Sequence, residues 1–192
     1  MQDEAGTTLT SPATPDPRPA SAPARGRSGL YAVIALWTVV TLVADQGSKI
    51  WALGALEPGV AKPLIGDWIQ LHLIRNSGAA FSLGDKVTWL LTILSLVIVV
   101  AILVGLKRVP NRAWAVTVGL LLGGAVGNLI DRVFREPGLF RGHVVDFLDY
   151  FGLFIGNVAD IAIVVAAGLV VLLSFRQPAS DRTGTTRDGD HV

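Results

Sequence analysis

Cysteine is absent from all 192 residues. Thiol nucleophiles, disulfides and thiolate metal sites are therefore excluded together, while the redox compartment stays open, since a chain without thiols tolerates either. Charge is also scarce. Asp, Glu, Lys and Arg make up 16% of the chain, against roughly 25% in an ordinary globular domain. The net charge of +1 offers no bulk field for nucleic acid. His72, His143 and His191 are scattered and lack HExxH spacing, so no zinc site is expected. Apolar residues are what the chain has in quantity: 51% are hydrophobic and the mean hydropathy is +0.54. Lipid is the expected solvent for much of the surface.

The apolar residues are concentrated in four long segments. The first runs from about Leu30 to Ala44 and continues as a helix through Asp45 to Leu56. The others run from Val87 to Leu106, Ala113 to Ile130 and Val158 to Phe175. Each approaches the ~20 residues that a helix needs to cross a bilayer core, and lipid leaves no partner for open strands. The expected fold is an all-α, four-transmembrane-helix bundle over residues 29–176. Residues 1–28, rich in Pro, Thr, Ala, Ser and Arg, are expected to form a disordered tail, as are residues 177–192. The first tail is not a signal peptide, because the apolar stretch after it is too long for an h-region.

Basic residues set the orientation. Arg18, Arg25 and Arg27 precede the first span, Lys107, Arg108 and Arg112 link spans two and three, and Arg176, Arg182 and Arg187 follow the fourth. Both termini are therefore expected in the cytoplasm, with the loops at about 57–86 and 133–157 outside. Asp67 to Arg75 is rich in β-formers, and two readings stand. One is a short strand that, with Trp68 and Phe81, builds a small extracytoplasmic sheet at the membrane surface. The other is an irregular loop with interfacial aromatics.

This topology gathers the rare polar groups at one membrane face. Asp45, Ser48 and Lys49 come near the outer end of span one, and Asn128, Asp131 and Arg132 finish span three. Asn157 and Asp160 open span four, and Asn76 precedes span two. Ionisable groups at membrane depth cost roughly 2.5 to 3.5 kcal/mol each on insertion scales, so several at one level point to a shared site. Each group also has a purely structural reading. Asp45 and Lys49 are spaced for a helix ion pair. Asp131 and Arg132 suit interfacial charges, and Asn157 with Asp160 suits a helix N-terminus. Gly119, Gly123 and Gly127 form a small-residue ridge for helix packing.

Ser48 and Lys49 are adjacent on a helix and point in different directions, which disfavours a serine–lysine nucleophile. Carboxylates remain. Asp146 lies in Gly142-His-Val-Val-Asp-Phe-Leu-Asp149, 14 residues before Asp160, and a chain that turns back at Phe151–Gly156 brings the two together. Two carboxylates in a partly dry site cannot both ionise cheaply, so one pKa rises and one stays low. That division suits activation of a water and protonation of a leaving amine.

Five stretches then resemble lipoprotein signal peptidase, or signal peptidase II. They are Asp45-Gln-Gly-Ser-Lys49, Asn76-Ser-Gly-Ala-Ala-Phe81, Gly123-Gly-Ala-Val-Gly-Asn-Leu-Ile-Asp-Arg132, Val144-Val-Asp-Phe147 and Asn157-Val-Ala-Asp160, in the family's order. The resemblance implies an intramembrane aspartic endopeptidase of the bacterial cell membrane with Asp146 and Asp160 as its catalytic pair. Asp45, Lys49, Asn76, Gly78, Asn128, Asp131, Arg132 and Asn157 are implied as supporting or substrate-binding residues. The implied substrate is a prolipoprotein carrying diacylglycerol on the cysteine that follows the cut. Globomycin sensitivity is implied, with membrane lipids as further partners and no metal or cofactor. The sequence leaves the oligomeric state open and is compatible with a monomer. Two departures stand out: Arg135–Arg141 lengthens one link, and Gly156 stands where an aromatic residue often precedes the asparagine.

The rival reading is a small proton-coupled transporter or channel, in which intramembrane carboxylates are also expected. It predicts polar residues through the membrane depth. Spans two and four, beyond their outer ends, are instead almost purely Leu, Val, Ile, Ala and Gly.

Overall fold

The computed structural model describes residues 25–78 and 88–176. The disorder expected of both tails and the interfacial role expected of Phe81 fall on residues outside these ranges. Four helices dominate: α1 (Arg25–Ala55), α2 (Thr88–Gly105), α3 (Arg112–Phe134) and α4 (Val158–Arg176). Among the described residues, these four are long and apolar enough to cross a membrane. α1 starts at Arg25, so residues 25–28 are helix and not tail. A 3-10 turn, Leu106–Arg108, joins α2 to α3, and the Asn111 side chain caps α3 by accepting the Trp114 amide at 3.1 Å.

α3 is central because its glycines admit its neighbours. A Cβ on Gly119 would meet Trp37 Cβ at 2.7 Å, and one on Gly123 would meet Thr41 Cβ at 2.6 Å. On an adjacent face, a Cβ on Gly124 would lie 2.6 Å from the Ala159 carbonyl oxygen of α4. The expected small-residue ridge thus packs α1, and one further glycine admits α4. Ile34, Val99, Ala115, Leu122 and Ala125 form the apolar core between α1, α2 and α3. Elsewhere the bundle exposes its large apolar side chains, including Val43, Val97, Val104 and Val164, which suits lipid and not water.

One end of the bundle carries an antiparallel sheet of β1 (Ala61–Ile65), β2 (Ile69–Asn76), β3 (Val144–Tyr150) and β4 (Phe154–Gly156), in that order. The strand reading of 67–75 therefore holds over the loop reading, and the sheet is larger than one short strand. β3 lies in the middle and is buried along most of its length, so both of its faces are covered and no alternation marks it. β1 contains Pro63, fit for an edge, and β4 has three residues. Alternate residues of β3 serve different ends. Val145 and Phe147 pack with Ala52, Leu56 and Leu73, and Phe147 meets Trp51 edge-on at 6.2 Å, which fastens the sheet to the end of α1. Asp146 belongs to the other set.

The Arg135–Arg141 link is folded against α3. The Gly142 and His143 amides donate to the carbonyls of Arg132 and Glu136, and Thr92 Oγ1 of α2 donates to the Phe140 carbonyl at 2.9 Å. At the far end of the bundle, Arg27, Lys107, Arg108 and Arg112 line one shallow cavity, a basic cluster opposite the sheet.

Candidate active site

Asp45 and Lys49, one helical turn apart on α1, form a fully buried ion pair at 2.9 Å. Lys49 Nζ also reaches Asp131 Oδ2 at 2.8 Å and donates to Asn128 Oδ1 at 3.0 Å, so all three ammonium protons have acceptors. Taking such charges out of water is costly, and removing one partner of a buried pair costs about 3–5 kcal/mol. The cluster therefore holds only while every member is paired. Asp45 Oδ1 accepts the Ala159 amide at 3.0 Å, in the first turn of α4. Asp131 accepts the Val145 amide of β3 at 3.2 Å and Arg135 Nε at 2.6 Å. Gln46 Nε2 bridges Asp45, Asp131 and the Gly127 carbonyl. A Cβ on Gly127 would run into the Asp45 carboxylate, so this glycine makes room for the charge. The ionic knot thus fixes α4 and β3 relative to α1 and α3.

Lys49 hands its position on through Asn128. The Asn128 oxygen accepts Lys49 and Asn157 Nδ2, and its amide donates to Asp160 Oδ1 at 2.9 Å. Asn157 is the N-cap of α4. Its Oδ1 accepts the Asp160 amide at 3.1 Å, and Asp160 Oδ2 accepts the Asn157 amide at 3.1 Å. This reciprocal pair is a capping box with Asp in place of Glu, so the structural reading of Asp160 is correct as far as it goes. The same Asn157 donates Nδ2 to Asp146 Oδ1 at 2.6 Å. Asp146, opposite Ile74 across β2 and β3, takes its second bond from Asn76 Nδ2 at 2.8 Å. Asn76 is aimed by Gly78, whose amide donates to Asn76 Oδ1 at 2.8 Å from a left-handed turn, φ +98°.

The two carboxylates come together because the chain reverses at Phe151–Leu153. Tyr150 pairs with Phe154 and Leu148 with Gly156, so β4 returns along β3 and delivers Asn157 beside Asp146. Burial, first, and then the Asp160 charge push the Asp146 carboxyl up to about 6. The Asn76 and Asn157 amides and the Lys49 ammonium oppose this. Burial and the Asp160 charge also raise the Tyr150 phenol. Arg132 lies within electrostatic reach of Asp131, Asp146 and Asp160, and its Nη1 is buried with no hydrogen-bond partner among the described residues.

Asp45, Lys49, Asn76, Gly78, Asn128, Asp131, Arg132, Asp146, Asn157 and Asp160 all lie in or against this network. Asn76 arrives on β2 and not on a transmembrane span, so α1, α3, α4 and the sheet build the site while α2 stays outside. Ser48 Oγ donates to the Asp45 carbonyl at 2.8 Å, and the occupied Lys49 cannot serve it as base. Among the described residues, the buried charged groups are Asp45, Lys49, Asp131, Asp146 and Asp149, all at the sheet end. Asp149 closes the hairpin by accepting the Gly152 amide at 2.9 Å and faces His72 at 3.4 Å. Gln46, Arg135 and Tyr150 were not picked out from the sequence. The i, i+4 spacing of Asp131 and Arg135 on α3 was the available signal for one of them. No group of His, Asp or Glu suited to a metal occurs among the described residues.

The family profile described as Signal peptidase (SPase) II matches residues 37–176. The lipoprotein signal peptidase of Streptomyces griseus is 42% identical over 159 residues, covering 83% of this chain and 81% of that protein. The lipoprotein signal peptidase of Mycolicibacterium smegmatis is 41% identical over 179 residues, covering 93% and 76%. A bacterial membrane enzyme solved in meso at 1.9 Å superposes with a TM-score of 0.66 at 25% identity, over 77% of this chain and 95% of that one.

Proposed function

The chain belongs to the signal peptidase II family, and from its site we propose that it is an aspartic endopeptidase with Asp146 and Asp160 as the catalytic dyad. Its substrate is a prolipoprotein whose cysteine already carries diacylglycerol, cut on the N-terminal side of that cysteine at the extracytoplasmic face of the bacterial cell membrane. One observation carries this reading. Asn157 holds both carboxylates, through its side chain to Asp146 at 2.6 Å and its backbone amide to Asp160 at 3.1 Å.

Asp146, buried and protonated up to about pH 6, is the acid. Asp160, half open and held by Asn128 and Asn157, is the base. Asp160 takes a proton from water as the water oxygen bonds to the scissile carbonyl carbon, and Asp146 gives its proton to the carbonyl oxygen. When the carbon–nitrogen bond breaks, the amine nitrogen takes the proton from Asp160, and the hydroxyl proton returns to Asp146. Arg132, with an unsatisfied donor, is placed to bind the substrate. Exposed apolar helix surface beside the dyad suits acyl chains, and globomycin should compete there.

The test is a cleavage assay with purified full-length protein and a diacylated precursor. Asp146→Asn and Asp160→Asn should each lower kcat at least roughly 10²-fold, as expected for lost general acid–base catalysis. Lipid-modified precursor should still bind, and the double variant should be little worse than either single, because the pair acts as a unit. Near-normal cleavage by Asp160→Asn would reduce Asp160 to a helix cap and end the dyad reading.

A further inference from the structure

Gly156 is buried, and the space a side chain would need there is already taken. A Cβ on Gly156 would lie 2.7 Å from Phe154 Cε1, 3.1 Å from Phe154 Cζ and 2.9 Å from Asp160 Oδ2. The aromatic ring and the carboxylate therefore both border the space that one methyl group on Gly156 would fill. Residues 154 and 156 share a face of β4, so the ring folds back over the glycine. There it stacks on Tyr150, with centroids 6.2 Å apart and planes 18° apart. The stack fixes the orientation of the ring, yet Phe154 remains 56% exposed. One edge thus borders the space beside Gly156 that Asp160 Oδ2 also borders, and much of the ring is open. Phe151 and Leu153, the other large apolar residues of the hairpin, are also exposed, but Phe151 is turned to Trp68 at 6.0 Å. Neither is among the atoms nearest Gly156.

We propose that Phe154 is a substrate-contacting specificity residue: seated over Gly156, its ring is the apolar wall beside Asp160 against which the precursor side chain next to the scissile bond packs. This rests on the dyad assignment above. An apolar wall at that point excludes water from one side of the carboxylate and favours a small aliphatic residue over a polar one. Gly156 is what admits the ring, so the two positions work as one unit and should trade places.

The experiment is a two-site cycle of Phe154→Ala, Gly156→Phe and the double variant, with Phe154→Leu and Leu153→Ala as comparisons. KM and kcat are measured in the otherwise wild-type chain. Binding of labelled diacylated precursor is measured in an Asp146→Asn background, where nothing is cut. Phe154→Ala should weaken binding and raise KM about tenfold, in the range for losing apolar contact in a pocket, with little change in thermal midpoint. Phe154→Leu should recover most of the loss, and Leu153→Ala should bind like wild type. Gly156→Phe should weaken binding and lower the midpoint, and adding Phe154→Ala to it should restore both. Binding within twofold of wild type for Phe154→Ala would overturn the proposal. So would an equal loss in Leu153→Ala, the mark of a general lipid-facing patch, or full tolerance of Gly156→Phe. If wild-type protein failed to cleave, the dyad reading would fall, while the binding cycle would still decide the role of Phe154.

Discussion

Asp146 illustrates how a single group is tuned. Its carboxyl sits in a dry position next to another carboxylate, and both effects hold the proton on. Two amides and a lysine limit the rise, and the outcome is about 6. The shift is upward for an acid, so the neutral form persists to higher pH than in the unfolded chain. The singly protonated dyad of the free enzyme is then lost as pH increases through about 6. On the acid assignment, kcat/KM should fall above that pH with a one-proton slope. Asn76 stabilises the ionised form by donating to Oδ2, so Asn76→Ala should move this limb to higher pH, whatever it does to the maximum rate. A pH–rate profile of the two proteins checks the sign, and a limb unmoved or moved downward would remove Asp146 as the titrating acid. At this scale much of the site was legible in the sequence, because charged and amide residues are rare in apolar segments and each one is conspicuous. Gln46, Arg135 and Tyr150 were not, since neutral or helix-end residues do not violate any local rule. Spacing does not decide between cap and catalytic group at Asp160 either, because the residue that caps α4 with it, Asn157, also holds Asp146.

Helices were read almost to their ends, since lipid demands a continuous apolar run with every backbone group paired internally. Strands are less legible. β3 owes its stability to cover on both faces, and its sequence Val-Val-Asp-Phe-Leu-Asp-Tyr carries no period of two. Asp146 further breaks the pattern. The hairpin that follows is nevertheless the element that brings Asn157, and with it Asp160, to Asp146. Phe151 and Gly152 both take positive φ, at 59° and 70°, and the Leu153 amide closes the turn onto the Tyr150 carbonyl at 3.0 Å. Left-handed backbone costs an ordinary L-residue about 1–2 kcal/mol, and a β-branched one is a genuine outlier there. Gly152→Val should therefore loosen the reversal, shift β4 against β3 and misplace Asn157. Helical content by circular dichroism should be unchanged, while kcat should fall, because a misplacement near 1 Å can cost on the order of 10²-fold. Full activity in Gly152→Val would mean that the hairpin does not set the distance between the carboxylates.

Across the whole molecule the two ends are chemically opposite. The sheet end concentrates the buried charges and the dyad, and the other end collects Arg27, Lys107, Arg108 and Arg112 around one cavity. A transport path would require polar groups between these ends, yet the buried polar residues in the middle of the bundle are threonines such as Thr41 and Thr117. Thr117 turns its hydroxyl back onto the Ala113 carbonyl at 3.0 Å, which satisfies the helix and leads nowhere. Among the described residues the buried charges thus stay at the sheet end, which fits the proposed peptidase better than a transport path. Basic residues are retained on the cytoplasmic side during insertion, so the sheet and dyad should face outward. Reporter fusions at residue 110 and at either terminus should report cytoplasm, and fusions near Asp67 and Pro137 should report the outer side. Because Pro137 lies in the link between α3 and β3, its position also reports that of the dyad. A cytoplasmic signal there would put the carboxylates on the wrong side to meet exported precursors, and the proposed reaction would have no substrate to act on.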